Sequence, residues 1–492
     1  SSSLEVDAKH IINAEGLFVC PGFIDAHAHS DFTLIADGRA EAKVCQGVTT
    51  EINGNCGFSG APLFGESKKK REGIQKGYNI AERWSTFEEF FSILKKRGIS
   101  INYVALVGHG NIRGSILGYH NRRPEHGELK DMRALLRDAL NAGVFGMSTA
   151  LVYPPGSYAH RDEIATLLKD VSLYKGIYTT HMRSEGDRLL ESIEESMWIA
   201  KEAGIHLHIS HLKTSGKRNW WKLRPAISMI EKARREGLSL SCDRYPYTAS
   251  CTDLDILLPT NIFDGGDEAA LDRLIKQRAL IEKELSIRSD EDGYWKGVVI
   301  SSLFLDRNKW MEGLSIDEIA QKLGKDPVDV VIDILIEEHF KVGAIFFGMS
   351  EENLKVILKQ PYTVIGSDSS ARSFSGITAS GRPHPRGFGT FPKVIGKYAR
   401  EEGVLSLQEA VYKMTGLTAE LFGIKHRGVI KKGNYADIVI FDADKIIDRA
   451  EYKAPFKRPE GIYFVFVNGS PTLYEGELTG LKPGRIIKRG AA

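Results

Sequence analysis

Long apolar runs are missing from this 492-residue chain. A membrane-crossing helix needs roughly 18–20 consecutive apolar residues, and the candidate stretch from Val330 to Ile336 is interrupted by Asp333. Cysteine is sparse as well: five residues, an odd number, are scattered along the chain. They make no disulfide framework and point to a reducing cytoplasm. Neither charge sign is in excess. With 66 basic and 64 acidic residues the net charge is +2, so there is no electrostatic case for nucleic acid or an anionic membrane as partner. The opening Ser1-Ser2-Ser3-Leu4 has neither a Met start nor a basic-plus-apolar signal pattern. The chain reads as beginning in mid-domain, and a removed leader stays open. What remains is an ordinary globular composition, 42% hydrophobic and 26% charged, in a chain long enough for a large barrel plus a smaller domain.

The central region repeats a strand-then-helix rhythm, the pattern of a parallel sheet covered by helices. The spacing predicts eight strands over 23–29, 48–53, 101–107, 144–149, 176–181, 206–211, 240–245 and 362–368, with helices over 86–97, 129–142, 161–174, 191–203 and 222–236. The predicted fold is α/β, a (β/α)8 barrel spanning 21–425, with its active site at the C-terminal ends of the strands. Short strand-like segments at 9–14 and 16–20 cannot bury a face alone. Their expected partners are segments at 427–430, 436–441 and 463–469, so residues 1–20 and 426–492 should form one small β domain. From about 260 to 348, between strands seven and eight, helix-like stretches at 268–285, 315–323 and 327–339 break the rhythm. This helical insertion is either a lid over the site or a peripheral decoration.

The chemistry-bearing residues gather at the predicted strand ends. Pro21-Gly22-Phe23-Ile24-Asp25-Ala26-His27-Ala28-His29-Ser30-Asp31 ends an apolar run in two histidines spaced i, i+2. In a strand they share a face and suit a divalent metal. His181 and His211 end strands five and six, His109 follows strand three, Tyr245 ends strand seven and Asp368 ends strand eight. Cys56 follows strand two between Gly54 and Gly57, which let the backbone bend and bring a thiolate near a metal. Cys20, Cys45 and Cys242 read as buried small hydrophobes, and Cys251 carries no assignment. His206 and His208 read as structural, because in a regular strand His208 faces away from His211.

The first-strand motif resembles that of the amidohydrolase superfamily. Many of its members bridge two metals with a carboxylated Lys on strand four, and Val144-Phe145-Gly146-Met147-Ser148-Thr149 has no Lys. Gly-Asn-Cys-Gly at 54–57, Ser-Thr-Ala-Leu-Val-Tyr-Pro-Pro-Gly at 148–156, Thr-His-Met-Arg at 180–183 and Pro-His-Pro-Arg-Gly-Phe-Gly-Thr-Phe-Pro at 383–392 instead resemble the D-aminoacylase (N-acyl-D-amino-acid deacylase) family. The resemblance runs from residue 21 to about 441. It implies zinc-dependent hydrolysis of N-acyl-D-amino acids, small molecules, to a carboxylic acid and a free D-amino acid. It implies a tight zinc on Cys56, His181 and His211, and a weaker second site on His27 and His29 with Cys56 and Asp368. Asp368 would be the general base and acid, and Lys213, Tyr245 and Arg386 would bind the substrate carboxylate. Ser369 stands where the family usually has Gly, and Cys251 where it commonly has a hydroxyl; Ser250 and Thr252 are substitutes for the latter.

Two other readings stand beside this one. A hydrolase of another amide, a dipeptide or a cyclic amide, would share the barrel and the two histidines but should carry the strand-four Lys. A non-catalytic scaffold should have lost ligands, and this chain keeps them.

Overall fold

Strands one to eight of the barrel are Phe23–Asp25, Val48–Asn53, Asn102–Ala105 continued by Val107–Gly108, Gly146–Ala150, Ile177–His181, His206–Ile209, Leu240–Arg244 and Thr363–Ile365. The computed structural model describes residues 11–289, 291 and 293–490, and among them these strands run parallel in chain order. The barrel closes where Ala26 N–H donates to Ile365 O at 3.1 Å and Ala28 bridges Ser369 in parallel. Interior side chains of the lower half are apolar: Ile24, Ile52, Val104, Phe145, Ile177 and Val364 pack on Phe422 of the helix Gly416–Phe422. That layer is the floor beneath the site.

The outer helices follow the predicted rhythm, and local chemistry sets their ends. Phe87–Arg97 starts at a reciprocal capping box between Thr86 and Glu89. His126–Ala142 and Leu189–Ala203 stop at Gly143 and Gly204, both left-handed. None of the helices among the described residues is long and apolar enough to cross a membrane.

The insertion starts earlier than residue 260, at Ala249, and carries more than the helices expected from sequence. Ala249–Asp253, Val342–Phe347 and Val298–Leu303 form an antiparallel sheet, with Val342–Phe347 in the middle. The helices Asp267–Lys276, Arg278–Arg288, Ile316–Leu323 and Pro327–Glu337 accompany it. Leu254, Ile300, Ile316, Val331, Leu335 and Val342 belong to a core separate from that of the barrel.

At the chain ends, Phe18–Pro21 pairs antiparallel with Ile438–Phe441, which pairs with Ile462–Val467, then Ser470–Tyr474 and Glu477–Leu478. The strand expected at 9–14 lies partly outside the described residues, and Ile11–Ala14 is irregular. Arg427–Ile430 is not a strand. Arg427 is buried in an ion pair with Asp437, its guanidinium lies 4.2 Å from the Tyr435 ring, and Gly428 at φ +77° turns the chain. The C-terminal tail leaves this sheet, and Ile486–Ile487 pairs in parallel with Tyr103–Val104 of barrel strand three.

Gly484 N–H donates to Ile99 O at 2.8 Å, and a Cβ on Gly484 would lie 2.1 Å from Ile101 O. Gly484→Ala must therefore push the tail off strand three. It should cost about 1–3 kcal/mol, the usual range for overpacking a closed contact, read as a lower midpoint in urea unfolding. An unchanged midpoint would show that the tail contributes nothing to the barrel.

Candidate metal centre

Three residues that converge at the barrel mouth have a backbone that L-residues rarely adopt. Cys56, His211 and Asp368 have φ of +50°, +37° and +50°. Each follows the end of a strand, so the left-handed turn swings its side chain inward instead of continuing the alternation. The Cys56 turn needs its glycines: a Cβ on Gly54 would lie 2.1 Å from Leu106 O, and one on Gly57 2.9 Å from Ala150 N. Ser148 of strand four, where the superfamily resemblance looks for Lys, holds this turn. Its Oγ donates to Gly54 O at 2.5 Å and accepts from Gly57 N–H at 3.0 Å.

The mouth is clamped from below by a buried ion cluster. Lys43 Nζ reaches Asp25 Oδ2 at 2.7 Å, Glu51 Oε1 at 2.6 Å and Ser367 Oγ at 2.9 Å. Asp25 Oδ1 accepts from the backbone N–H of His27 at 3.1 Å and of Ser367 at 2.8 Å, tying the ends of strands one and eight together. Burial opposes a charge on Lys43, but Asp25 and Glu51 hold its pKa above the ordinary value.

The structure brings all six candidate ligands together. Cys56 Sγ lies 3.3 Å from His27 Nε2, 3.4 Å from His211 Nε2 and 3.7 Å from His181 Nδ1. Asp368 Oδ1 is 3.0 Å from His29 Nε2 and 3.5 Å from His27 Nε2. The ligand atoms of His27, His29, Cys56 and Asp368 all lie within 4.8 Å of one another, as do those of Cys56, His181 and His211, so the thiol is common to both groups. His109 lies elsewhere, against Glu163 at 2.9 Å.

Charge balances within the cluster. Burial pushes the Cys56 thiol up, yet His27 and His211 and the hydrogen bonds from His181 and His211 bring its pKa well below the ordinary value. Burial raises Asp368 too, and Arg386, His211 and His27 hold it well below the carboxylate range. Burial lowers His27, and Asp243, Cys56 and Asp368 raise it further the other way. One thiolate and one carboxylate facing four imidazoles is a donor set that a divalent metal fits, since one ion can take the place of the ring protons without upsetting the balance.

Two further carboxylates orient the rings, and neither stands out in the sequence. Asp243 Oδ2 is 3.1 Å from His27 Nδ1. Glu185 Oε1 is 2.8 Å from His211 Nδ1, and its Oε2 is 3.5 Å from His181 Nε2. A carboxylate only accepts, so Asp243 takes a hydrogen from His27 Nδ1 and leaves Nε2 as the nitrogen that faces the centre; His211 also presents Nε2, its Nδ1 lying 2.8 Å from both Glu185 Oε1 and Lys213 Nζ. A signal was present: Ser239, Ser241 and Asp243 put polar residues at period two on a buried strand.

Lys213, Tyr245 and Arg386 line the same space. Lys213 Nζ is 2.5 Å from Glu185 Oε1. Arg386 Nη1 is 2.9 Å from Asp368 Oδ2, its Nη2 donates to Cys251 O at 3.2 Å, and its guanidinium lies 4.7 Å from the Tyr245 ring. Tyr245 is fully buried, and its hydroxyl has no hydrogen-bond partner among the described residues. Tyr153 packs edge-on to His181 and meets Thr252 Oγ1 at 2.7 Å, joining the insertion to the site.

The model of the family described as Amidohydro_3, amidohydrolase family, matches residues 10–472. A D-aminoacylase of Alcaligenes xylosoxydans xylosoxydans is 34% identical over 483 residues, 98% of this chain and 89% of that protein. An N-acyl-D-aspartate deacylase of the same organism is 33% identical over 490 residues, 98% and 87% of the two. Among solved structures, an N-acyl-D-glutamate deacylase from Bordetella bronchiseptica, in complex with zinc and a phosphonate mimic of the tetrahedral intermediate, is similar with a TM-score of 0.83. The two are 30% identical, and the match covers 99% of this chain and 92% of that one. With a family match across nearly its whole length and such relatives at this identity, the chain belongs to the amidohydrolase family.

Proposed function

We propose that the protein is a zinc-dependent deacylase that hydrolyses N-acyl-D-amino acids to a carboxylic acid and a free D-amino acid. The observation that carries the reading is one buried thiol shared by two ligand groups, with a carboxylate, Asp368, that is paired to Arg386, and with Lys213 and Tyr245 close by. The names of the similar deacylases, and the zinc in one of their structures, support it. Cys56, His181 and His211 would hold the tight zinc, and His27, His29, Cys56 and Asp368 a weaker second ion. When bound, the metal polarises the acyl carbonyl and acidifies a water.

The chain's own residues do the rest. An oxygen of Asp368 takes a proton from the attacking water as the C–O bond forms, and returns it to the amide nitrogen as the C–N bond breaks. Arg386, 2.9 Å away, keeps that carboxylate ionised before attack. Lys213, Tyr245 and Arg386 anchor the α-carboxylate. An ammonium has three donors, so the pairing of Lys213 with Glu185 leaves it able to bind substrate. With carboxylate and carbonyl both fixed, the L-isomer turns its side chain into a wall. The five free cysteines agree with a reducing compartment, and we place the protein in the cytoplasm. We further assign residues 21–425 to a catalytic barrel with its insertion and the chain ends, 1–20 and 426–492, to a small β domain whose tail reaches back to strand three.

Cys56→Ala removes the ligand common to both groups, so elemental analysis should find tight zinc in the wild type and little in the variant. Full retention of metal and activity would overturn the shared-thiolate site.

Asp368→Asn keeps its shape but cannot carry a proton. Turnover should fall on the order of 10²–10⁴-fold with tight zinc unchanged. Near-wild-type turnover on an N-acetyl-D-amino acid would remove Asp368 from the proton transfer.

Lys213→Met should instead raise KM and erode the preference for D over L; Arg386→Met should do the same and also lower turnover, because Asp368 loses the charge that keeps it ionised. Each lost charged hydrogen bond is worth roughly 1.5–3 kcal/mol. Steady-state kinetics with both enantiomers of one N-acetyl amino acid test this, and unchanged affinity and D-preference in both variants would rule out the anchor.

A further inference from the structure

We propose that a hydrogen-bonded column of His208, Ser241, His206 and Ser239, running down through the barrel wall from Asp243, holds in place the carboxylate that orients His27 and so tunes the affinity of the metal site that His27 serves. The inference rests on the two-site reading above. It makes His208 and Ser241 positioning residues, although neither lies in the donor set.

The column is continuous. Asp243 Oδ2 meets His27 Nδ1 at 3.1 Å and His208 Nε2 at 3.0 Å. Ser241 Oγ meets His208 Nδ1 at 2.7 Å and His206 Nε2 at 2.7 Å. His206 Nδ1 meets Ser239 Oγ at 2.6 Å, and Ser239 is exposed. The placement follows from alternation and register. His206 and His208 share one face of strand six, Ser241 and Asp243 share one face of strand seven, and His208 sits beside Ser241 in the parallel register. His211 joins the same carboxylate differently: strand six stops at Ile209, and the His211 backbone N–H reaches Asp243 Oδ1 at 3.0 Å. The expectation that His208 faces away from His211 assumed a regular strand, and the left-handed turn at His211 overrides it.

Donor counting gives the column one direction. The Asp243 carboxylate only accepts, so His27 Nδ1 and His208 Nε2 both carry hydrogens. His208 Nδ1 then accepts the Ser241 hydroxyl. The Ser241 oxygen accepts from His206 Nε2–H, and His206 Nδ1 accepts the Ser239 hydroxyl. Burial pushes the pKa of His206 down to about 3, in keeping with a neutral ring. From Ser239 to Asp243 every donor points toward the centre, and His27 donates back to Asp243 from Nδ1, which leaves its Nε2 facing Cys56. Packing alone does not call for this, since the neighbouring interior positions Ile52, Val104, Ile177 and Val364 are filled by apolar side chains. Without the Ser241 hydroxyl, nothing fixes the Nδ1 edge of His208, and the ring is free to turn away from Asp243. Asp243 then loses one of the two rings that hold Oδ2 in place.

The test is zinc uptake by metal-stripped protein in competition with a chromophoric chelator. Wild type, Ser241→Ala, Ser241→Thr, His208→Phe and His208→Gln are compared. Loss of a partner that orients a ligand typically costs about 10–100-fold in metal affinity. That loss is expected in the weaker uptake step of Ser241→Ala and His208→Phe, with a smaller loss at the tight step, whose His211 backbone Asp243 also holds. Ser241→Thr keeps the hydroxyl and His208→Gln keeps an N–H for Asp243, so both should recover most of the weaker step. Wild-type affinity in Ser241→Ala and His208→Phe would overturn the column's role. An equal loss at both steps would also overturn it, since that reports a disturbed barrel. A wild type with no second uptake step would overturn the two-site reading, and this inference with it.

Discussion

Cys56 lies inside the barrel mouth, where burial alone drives a thiol toward its neutral form, and the rest of the site is arranged to oppose that. Three imidazole nitrogens stand within 3.7 Å of the sulfur. A lone buried thiolate would be costly, and so would a lone buried imidazolium; placed against one another they share the cost. Asp243 and Glu185 extend the logic by one layer, since each faces the outer nitrogen of a ring whose inner nitrogen faces the sulfur.

Holding those groups at one point requires the chain to leave regular structure at chosen places. Cys56, His211 and Asp368 each spend conformational energy on a left-handed backbone, of order 1–3 kcal/mol by the usual cost of such residues. The barrel over-determines them. Asp25 and Lys43 lock the ends of strands one and eight, Ser148 locks the Cys56 turn, and Asp243 locks the His211 turn through its backbone N–H. Rigid strands bear the load, and the short turns beyond them carry the chemistry.

The insertion has a core of its own, yet its first strand is stitched into the site. Cys251 O accepts from Arg386, Ala249 O is 2.9 Å from His384 Nε2, and Thr252 meets Tyr153 beside His181. Arg386 is thereby held between the insertion and Asp368. The wall facing the metal ligands is built from both barrel and insertion, and a change in the insertion's first strand acts directly on the group that keeps Asp368 ionised.

Much of this was legible in residue order. The strand-and-helix rhythm placed all eight barrel strands, and it brought His27, His29, Cys56, His181, His211 and Asp368 to one end, because a parallel barrel puts the C-terminal ends of its strands side by side. The first antiparallel partner of the N-terminal strand was legible too, since an isolated edge needs one. The sheet in the insertion was not, because its strands are far apart in sequence and pair only across the helices between them. Arg427–Ile430 looked like a strand and is not: a buried ion pair with Asp437, formed only in the folded chain, outweighed its β-branched residues. The outer carboxylates and the histidine column escaped for a similar reason. Asp243, Glu185, His208 and Ser241 look like ordinary polar residues until the barrel closes, and it is closure that puts them between two strands where each donor has one acceptor within reach. Sequence alone determined which side chains can bind a metal, and where along each strand they sit. Tertiary structure alone decided which nitrogen of each ring faces the centre, because a ring's orientation is set by a hydrogen bond to a residue distant in the chain.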